Sequence, residues 1–446
     1  MQRIMKLLCL SLGLALTSLA QAAGITTYEP LTKADYWIKN NPNGDAVILS
    51  EAGIKNFNTS IQALSRTVVD LAHYPTSISG DSLKTRIANY QLLEDDLYLN
   101  GKKVSDNYKN ILRTQTNIAA IPSTVTPRYA FVVRRSNVRN LPTGQGLYYY
   151  AEDDEFDANQ ETAIDPGEPV VVQHTSANGY FYFVQSYNYY GWISKFDLGF
   201  TDYNTWLNYV NNKNFLVVTA KTLPLKIERE VIVPATNTKK LESESIIWQQ
   251  GAKLYLKSDN SSSYTLDILQ RNFKTNALEH IYKTVAKSEL SPSVHKGYLP
   301  YTSNNIIKAA FAHYGMPYGW GGLKNSVDCS SLITDVYRTV GIMLPRNSDE
   351  QAQTAGQYYD FAGLGAAQRT SNILQLTPGS VLFLEGHDVL YLGSSNNVPF
   401  IIHSLGSHYT NGVRQRTMQV VVSDLSIQRS NGSAFRDDLL KAVIYK

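Results

Sequence analysis

The sequence predicts a multidomain protein with a small helical domain, two small β-barrels and a C-terminal α+β domain that carries a candidate nucleophile. Apolar residues repeat at helical spacing up to about residue 120 and at strand spacing from Pro127 onward. From Gly297 the chain has helical segments first and strand-like segments afterwards, the order of an α+β domain. A chain of 446 residues is long enough for three or four domains of ordinary size.

Residues 1–22 have the composition of an export signal. Arg3 and Lys6 form a positive start, residues 7–19 are almost wholly apolar, and Ala20-Gln21-Ala22 is a small-x-small cleavage site. The apolar run is too short to span a bilayer, and no second long run follows it. We therefore expect a mature N-terminus at Ala23 and a periplasmic or secreted protein without a transmembrane segment.

The charge balance argues against one class of partner. Lys and Arg number 41 against 38 Asp and Glu, so the formal net charge is only +3. Nucleic-acid-binding domains are usually recognised by a strongly basic patch or stripe. We expect partners that are neutral or of mixed charge, and no nucleic acid.

Residues 23–126 are predicted to form the helical domain, because three apolar stripes recur there at helical spacing. Their members are Ile54, Phe57, Ile61, Leu64, Val68 and Leu71; Leu83, Ile87, Tyr90, Leu93 and Leu97; and Val104, Tyr108 and Ile111. Three such stripes predict a small antiparallel bundle with no chemical role.

Residues 127–200 and 201–296 are predicted to form two barrels of one architecture, since short β-rich runs alternate with turn residues. The runs are 130–133, 170–173, 180–184 and 191–193 in the first barrel, and 215–219, 231–233, 246–248, 254–257 and 264–269 in the second. Residues 297–446 form the last domain.

Cys329 is the candidate nucleophile. The other cysteine, Cys9, lies in the predicted export signal, so the mature chain offers Cys329 no intramolecular disulfide partner. Helically spaced apolar residues follow it, which places Asp328-Cys329-Ser330 in the first turn of a helix, where free N–H groups and the helix dipole favour a thiolate. The alternatives are a small buried hydrophobe for Cys329 and a plain N-cap for Asp328.

A cysteine nucleophile needs a base, and the base needs an orienting partner. His387 opens the predicted strand 389–392 and His403 closes the predicted strand 400–402. If the two strands pair through a turn at 394–397, both histidines lie at one end of the sheet, with His387 as base and His403 holding its other ring nitrogen. The alternative is two strand-end histidines exposed to water.

A zinc site is the other common use of cysteine and histidine. One cysteine and two widely spaced histidines, with no close pair of ligands, match the spacing of zinc sites poorly. We expect no metal and no cofactor.

Several motifs resemble, in order and rough spacing, those of the NlpC/P60 family of papain-like cysteine peptidases. They are Tyr318-Gly-Trp-Gly-Gly, Asp328-Cys-Ser-Ser, Leu344-Pro-Arg-Asn-Ser-Asp-Glu-Gln351, Pro378-Gly379, Gly386-His-Asp-Val-Leu-Tyr-Leu-Gly393 and Ile402-His403-Ser404. Upstream, residues 136–143 and Gly191-Trp-Ile resemble the bacterial SH3-like domain that accompanies this family, and residues 24–125 resemble its helical N-terminal domain. The resemblance implies a papain-like α+β catalytic domain preceded by a helical domain and two SH3-like barrels.

The resemblance also implies residue roles. Cys329 attacks the carbonyl, His387 is the base and His403 orients it. Residues matching Asp328 and Ser330 hold the free α-amine of an N-terminal L-Ala, and the residue matching Trp320 lines that pocket. A tyrosine of the first SH3-like domain often closes the site, although no position for it follows from the sequence.

One departure from the family pattern is Asp388-Val389, where Val-Gly is more usual. Asp388 adds a carboxylate beside the base, where it either shifts the pKa of the base or faces solvent.

The leading hypothesis is an exported γ-D-glutamyl-L-diamino acid endopeptidase, typically acting before meso-diaminopimelate, with free peptidoglycan stem peptides as its partners. One alternative is a D,L-endopeptidase or amidase that acts on intact peptidoglycan. An alternative of another class is a non-catalytic wall-binding protein in which the SH3-like barrels do the binding.

Overall fold

The computed structural model of the protein describes residues 24–233 and 238–446. The predicted export signal, with Cys9 and the cleavage site before Ala23, lies outside the described residues. The predicted fold class is confirmed: the chain is multidomain, with a helical N-terminal part, two β units and an α+β C-terminal domain. Among the described helices, none combines the length and the hydropathy needed to cross a membrane.

The N-terminal part consists of short helices joined by long loops. The α-helices are Ala34–Lys39, Glu51–Leu64, Gly80–Ile87, Gln91–Glu94 and Asp106–Gln115, and the short strands are Val47–Leu49, Ile78–Ser79, Tyr98–Leu99, Lys102–Lys103 and Thr124–Val125. Ser50, Ser79 and Ser105 cap three of the helices by accepting a backbone N–H in the first turn.

The predicted three-helix bundle is wrong, because the three apolar stripes do not form one common core; only the second and third meet, through Leu93, Leu97 and Val104. Phe57 lies in the core of the C-terminal domain. Leu83 packs with Trp192, and Leu93 packs with Leu147; Trp192 and Leu147 belong to the first β unit. An apolar stripe predicts that a helix face is buried but does not specify its partner, and here the larger neighbouring domains supply it.

The first β unit is a seven-stranded antiparallel sheet. In pairing order its strands are Leu198–Thr201, Arg128–Val132, Pro169–Thr175, Phe181–Gln185, Tyr190–Ser194, Ser136–Arg139 and Gln160–Ile164. Within the described part of the chain the pairing runs from edge to edge and does not close into a ring.

The second β unit pairs its strands in the order Leu278–Ala286, Ser263–Arg271, Lys253–Asp259, Phe215–Val218 and Val294–Lys296. A separate hairpin of Thr222–Val233 and Thr238–Gln249 packs its apolar residues, such as Leu223 and Trp248, into the same core. Helix Tyr203–Val210 precedes this unit and Lys287–Leu290 lies near its end.

The C-terminal domain packs helices on one six-stranded antiparallel sheet. Its helices are Ser303–Ala312, Cys329–Arg338, Ser348–Gln351, Ala366–Ile373 and Phe435–Asp438. In pairing order its strands are Gln357–Asp360, Lys441–Ile444, Val381–Leu384, His387–Ser395, Val398–Thr410 and Val413–Asp424, while Tyr301–Thr302 pairs with Val47–Leu49.

Helix Cys329–Arg338 is fixed against this sheet by its apolar face. Ile333 and Val336, both 0% exposed, share one core with Leu390 and Ile402 of the two central strands. Burying a side chain of this size stabilises the fold by about 1.5–3 kcal/mol. The N-terminus of the helix is thereby held beside the start of strand His387–Ser395.

A buried charge cluster joins the C-terminal end of the same helix to the first β unit. The guanidinium of Arg338 donates to Asp165 at 2.9 Å and to Glu168 at 2.7 Å, and Arg135 donates to Asp165 at 2.5 Å. Burial alone would raise the pKa of Asp165, but the two guanidinium groups hold it below its ordinary value. Asp335 lies 3.7 Å from Arg338, and burial raises its pKa to about 7.

Candidate active site

Asp328 is the N-cap of helix Cys329–Arg338. Its Oδ1 accepts the Ser331 N–H at 2.9 Å, and the Ser331 hydroxyl accepts the Asp328 N–H at 2.8 Å, which completes a capping box. The N-cap interpretation of Asp328 is therefore correct. Cys329 is the first residue of the helix, and it keeps part of its surface exposed.

The second carboxylate oxygen of Asp328 is also engaged. It accepts from Arg346 at 2.6 Å and from the Gly321 N–H at 2.9 Å. Arg346 also donates to the Ser330 hydroxyl at 2.8 Å and to Thr162 of the first β unit at 2.7 Å. Burial would raise the pKa of Asp328, but the Arg346 guanidinium and these hydrogen bonds hold it below its ordinary value.

Arg346 is thus a site residue that the sequence prediction missed. It joins Asp328 and Ser330, the two residues expected to bind an α-amine, and it already neutralises the carboxylate of the first. Arg346 lies in the family motif Leu344 to Gln351, but the resemblance assigned it no role. Its position in that motif, as a basic residue, was the signal that could have identified it.

Trp320 and the first β unit form one wall of the site. The indole N–H of Trp320 donates to the carbonyl of Asp157 at 3.0 Å, and its ring lies 5.7 Å from that of Phe156, which also contacts Tyr318. Trp320 remains 37% exposed, as a residue that lines a substrate pocket would be.

Two local turns bring His387 and His403 together. The two-residue turn Glu385-Gly386 places His387 at the start of its strand, and the turn at Asn396-Asn397, both at positive φ, pairs that strand with Val398–Thr410. His387 Nε2 lies 2.9 Å from His403 Nδ1. His403 lies inside its strand rather than at its end, so that detail of the prediction is wrong.

The hydrogen-bonded chain continues beyond His403. Its Nε2 lies 3.1 Å from the hydroxyl of Ser423, on the neighbouring strand Val413–Asp424. Both imidazole rings also contact the ring of Phe435. His403 and Ser423 are fully buried, so the alternative of two water-exposed histidines is wrong for His403. No sequence signal pointed to Ser423, because register alone brings it to His403.

Cys329 lies next to this pair. Its sulfur, a ring nitrogen of His387 and a carboxylate oxygen of Asp388 all lie within 4.8 Å of one another. The structure therefore brings together Cys329, His387 and His403 at the start of the helix, with Asp328 and Ser330 on either side of the cysteine in the chain and Trp320 on the wall shared with the first β unit.

The charges around Cys329 favour a neutral thiol over a thiolate. Desolvation raises the pKa of Cys329 well above its ordinary value, and the carboxylates of Asp388 and Asp328 raise it further. Desolvation lowers the pKa of His387 to about 4 and that of His403 well below its ordinary value. A helix dipole contributes only about 0.3–2 kcal/mol. Burial and the neighbouring carboxylates therefore act against the thiolate that the helix N-terminus was expected to favour.

Asp388 lies inside the protein, so the alternative that it faces solvent is wrong. Asp388 is 0% exposed, and within the described ranges its carboxylate oxygens have no hydrogen-bond partner other than the neighbouring Cys329 thiol. Burial raises the pKa of Asp388 to about 7, with the charge of Asp328 acting in the same direction.

A tyrosine of the first β unit also reaches the neighbourhood of the site. The hydroxyl of Tyr189 donates to Glu161 at 2.5 Å. Burial and the Glu161 carboxylate raise the pKa of the Tyr189 phenol, and the charge of Arg346 lowers it in part. Glu161 directly precedes Thr162, which accepts from Arg346. In the described part of the chain Glu161 has hydrogen bonds to Tyr189 and Asn140 but no ion-pair partner.

Comparisons with known proteins agree with this geometry. Residues 315–424 match the NlpC/P60 family, and residues 147–194 match an SH3 domain of the SH3b1 type. A solved NlpC/P60 endopeptidase from Photobacterium damselae subsp. piscicida superimposes with a TM-score of 0.72 over 92% of this chain and 96% of that one, at 19% identity. This likeness establishes the shared fold.

Two curated relatives match parts of the chain. A probable endopeptidase of Corynebacterium glutamicum is 33% identical over 107 residues, which is 23% of this chain and 49% of the relative. Dipeptidyl-peptidase 6 of Lysinibacillus sphaericus is 23% identical over 267 residues, 59% of this chain and 86% of the relative. The chain thus spans about half the length of the Corynebacterium relatives it matches.

Fold, site and comparisons together define the class. The chain carries an NlpC/P60 domain, of a family of cysteine endopeptidases, behind a bacterial SH3-type domain.

Proposed function

We propose that this protein is an exported cysteine endopeptidase that hydrolyses the γ-D-glutamyl–diamino acid bond of peptidoglycan stem peptides that begin with a free L-Ala. The observation that carries the proposal is the cluster of Cys329, His387 and His403, with a partly exposed sulfur within 4.8 Å of a His387 ring nitrogen. A nucleophile, a base and an orienting group within reach of one another are what acyl transfer to a thiol requires.

Proton transfer accompanies attack in this site. Because the pKa of His387 is about 4 and that of Cys329 is raised, the resting pair is a neutral imidazole and a neutral thiol. His387 accepts the thiol proton on Nδ1 while Nε2–H donates to His403 Nδ1. His403 donates its Nε2–H to Ser423, which fixes both rings in these tautomers.

The remaining steps follow from the same groups. The sulfur bonds to the scissile carbonyl carbon, and the free N–H groups of the first helical turn face the oxyanion that develops. His387 then returns its proton to the departing amine, which leaves a thioester on Cys329. A water molecule, deprotonated by His387, hydrolyses the thioester and restores the thiol.

We place the free amine of the substrate against the wall of the site that the first β unit forms. Asp328 is already paired with Arg346, whereas Glu161, held by Tyr189, is a carboxylate of the first β unit without an ion-pair partner among the described residues. We assign Glu161 and Ser330 to the ammonium pocket, with Asp328 fixing Arg346 behind it and Trp320 lining the entrance.

The experiment is a comparison of three substrates. The protein is incubated with L-Ala-γ-D-Glu-meso-diaminopimelate, with its N-acetylated form and with intact peptidoglycan, and the products are separated and identified by mass. The proposal expects cleavage after D-Glu in the free peptide and slow cleavage of the other two. Equal rates on free and acylated substrates favour an enzyme of intact wall. No cleavage of any substrate favours a wall-binding protein.

Export is part of the proposal and rests on the composition of residues 1–22. N-terminal sequencing of protein recovered from the periplasm or medium should begin at Ala23. Protein that keeps Cys9, or that carries a lipid mass on it, would contradict the exported, unanchored form.

A further inference from the structure

Three atoms that can bind a metal lie close together, one each from Cys329, His387 and Asp388. The sulfur, a ring nitrogen and a carboxylate oxygen all lie within 4.8 Å. Zinc in proteins is bound by these three kinds of atom at about 2.0–2.3 Å, so side-chain shifts of about 1 Å would bring all three onto one ion. The expectation of no metal rested on the wide spacing of the cysteine and the histidines. It did not include the carboxylate of Asp388, which supplies the third atom.

Asp388 is the observation that points to a ligand. It is 0% exposed, and its oxygens have no hydrogen-bond partner among the residues described apart from the Cys329 thiol beside them. A buried carboxylate without hydrogen bonds is costly unless a cation or a proton accompanies it. Asp335, the comparable acid on the helix, has Arg338 at 3.7 Å. Arg346, whose charge acts on Asp388, is instead paired with Asp328 at 2.6 Å.

One divalent cation would balance the charges of the side chains around Cys329. Asp328 and Arg346 cancel each other. A thiolate on Cys329 and a carboxylate on Asp388 would together carry two negative charges, and one Zn²⁺ ion would neutralise both. Binding releases the thiol proton, and the carboxyl proton where Asp388 holds one.

The surroundings also suit a metal-binding imidazole. His387 has one nitrogen engaged with His403, and His403 is held in turn by Ser423. Such outer hydrogen bonds fix the orientation and tautomer of metal-binding histidines, and they leave the other His387 nitrogen free to donate its lone pair. The exposed part of Cys329 gives an ion access from solvent and leaves a position for water.

We propose that Cys329, His387 and Asp388 form a zinc site whose occupancy reversibly blocks the nucleophile. Metal binding depends only on these three side chains. The inhibition that follows from it rests on the proposed peptidase function, since an ion on the sulfur prevents attack on a carbonyl. A direct measurement of binding therefore separates failure of this proposal from failure of the proposed function.

The test uses the full chain with Cys9→Ser, so that Cys329 is the single thiol. Metal-free protein is titrated with Co²⁺, followed by its thiolate charge-transfer absorption, and with Zn²⁺, followed by calorimetry. We expect one ion per chain, displacement of Co²⁺ by Zn²⁺, and protection of Cys329 from alkylation by iodoacetamide. Asp388→Asn and Asp388→Val should each weaken binding at least about tenfold, since loss of a mere outer partner already costs that much. Asp335→Asn, which removes a buried acid elsewhere on the helix, should leave binding unchanged.

Three results would overturn the proposal. They are the absence of a charge-transfer band with Co²⁺, equal affinity in the wild type and in a folded Asp388 variant, and equal weakening by Asp335→Asn. If neither Asp388 variant folds, X-ray absorption at the zinc edge of the wild-type protein decides the matter. One sulfur, one imidazole and at least one oxygen in the first shell support the site, and a shell without sulfur refutes it.

Discussion

Replacing Asp335 with asparagine should stabilise the protein at alkaline pH but not at acidic pH. Asp335 is 6% exposed on helix Cys329–Arg338, one of its oxygens has no hydrogen-bond partner among the described residues, and burial raises its pKa from 3.8 to about 7. The folded state therefore retains a proton that the unfolded state releases between these two pH values. Stability conferred by that proton is complete below about pH 4 and is lost as the pH rises to about 7.

The displacement of the pKa sets the size of the effect. About 3 pKa units at 1.36 kcal/mol each give about 4 kcal/mol as the cost of the ionised form at pH 8. The asparagine variant avoids this cost but loses the attraction of Arg338 at 3.7 Å. We expect a net gain of about 2–4 kcal/mol in the free energy of unfolding at pH 8 and almost none at pH 4.

The assay is urea denaturation at several pH values, followed by tryptophan fluorescence. Asp349→Asn is the matched control, because Asp349 is an exposed acid 3.4 Å from Arg66 and such pairs contribute little. An Asp335→Asn variant that is no more stable than wild type at pH 8, or equally stabilised at pH 4 and pH 8, would refute the assignment of a buried, proton-retaining carboxyl.

Three further predictions concern the site and its attachment. Cys329→Ala and His387→Ala should each abolish peptide hydrolysis to a similar extent, whereas His403→Ala should cost less because it removes orientation only; kcat/KM on the free tripeptide measures this. Glu161→Gln should reduce the preference for free over N-acetylated peptide, which a charge-assisted contact of about 1.5–3 kcal/mol sets at roughly tenfold to a hundredfold; an unchanged ratio would remove Glu161 from the pocket. Arg338→Met should lower the free energy of unfolding by about 3–5 kcal/mol in urea denaturation, because it leaves Glu168 without its cation and Asp165 with Arg135 alone; a loss below about 1 kcal/mol would contradict that role.

The cluster of Cys329, His387 and His403 was predictable because contacts between residues close in the sequence position its members. Asp328 caps the helix through residues three positions away. His387 and His403 meet through two tight turns, one containing glycine and the other two asparagines, that are visible in the sequence. Features of this kind need no knowledge of the rest of the fold.

Two of the residues that were missed come from distant parts of the chain. Thr162 comes from the first β unit and Ser423 from the last strand of the sheet, so neither has a local signal near Cys329. The influences that oppose a thiolate at Cys329 were missed for a related reason. The helix dipole is a local property, whereas desolvation and the charge of Asp388 depend on how the whole domain closes around the sulfur.

Helix Cys329–Arg338 is held by the first β unit at both of its ends. Arg346 ties the cysteine end to Thr162, and Arg338 ties the other end to Asp165 and Glu168. The NlpC/P60 domain therefore cannot be separated from the first β unit without removing contacts at both ends of this helix. Any exchange of the SH3-type domain has to keep Thr162, Asp165 and Glu168, since they hold the helix that begins at Cys329.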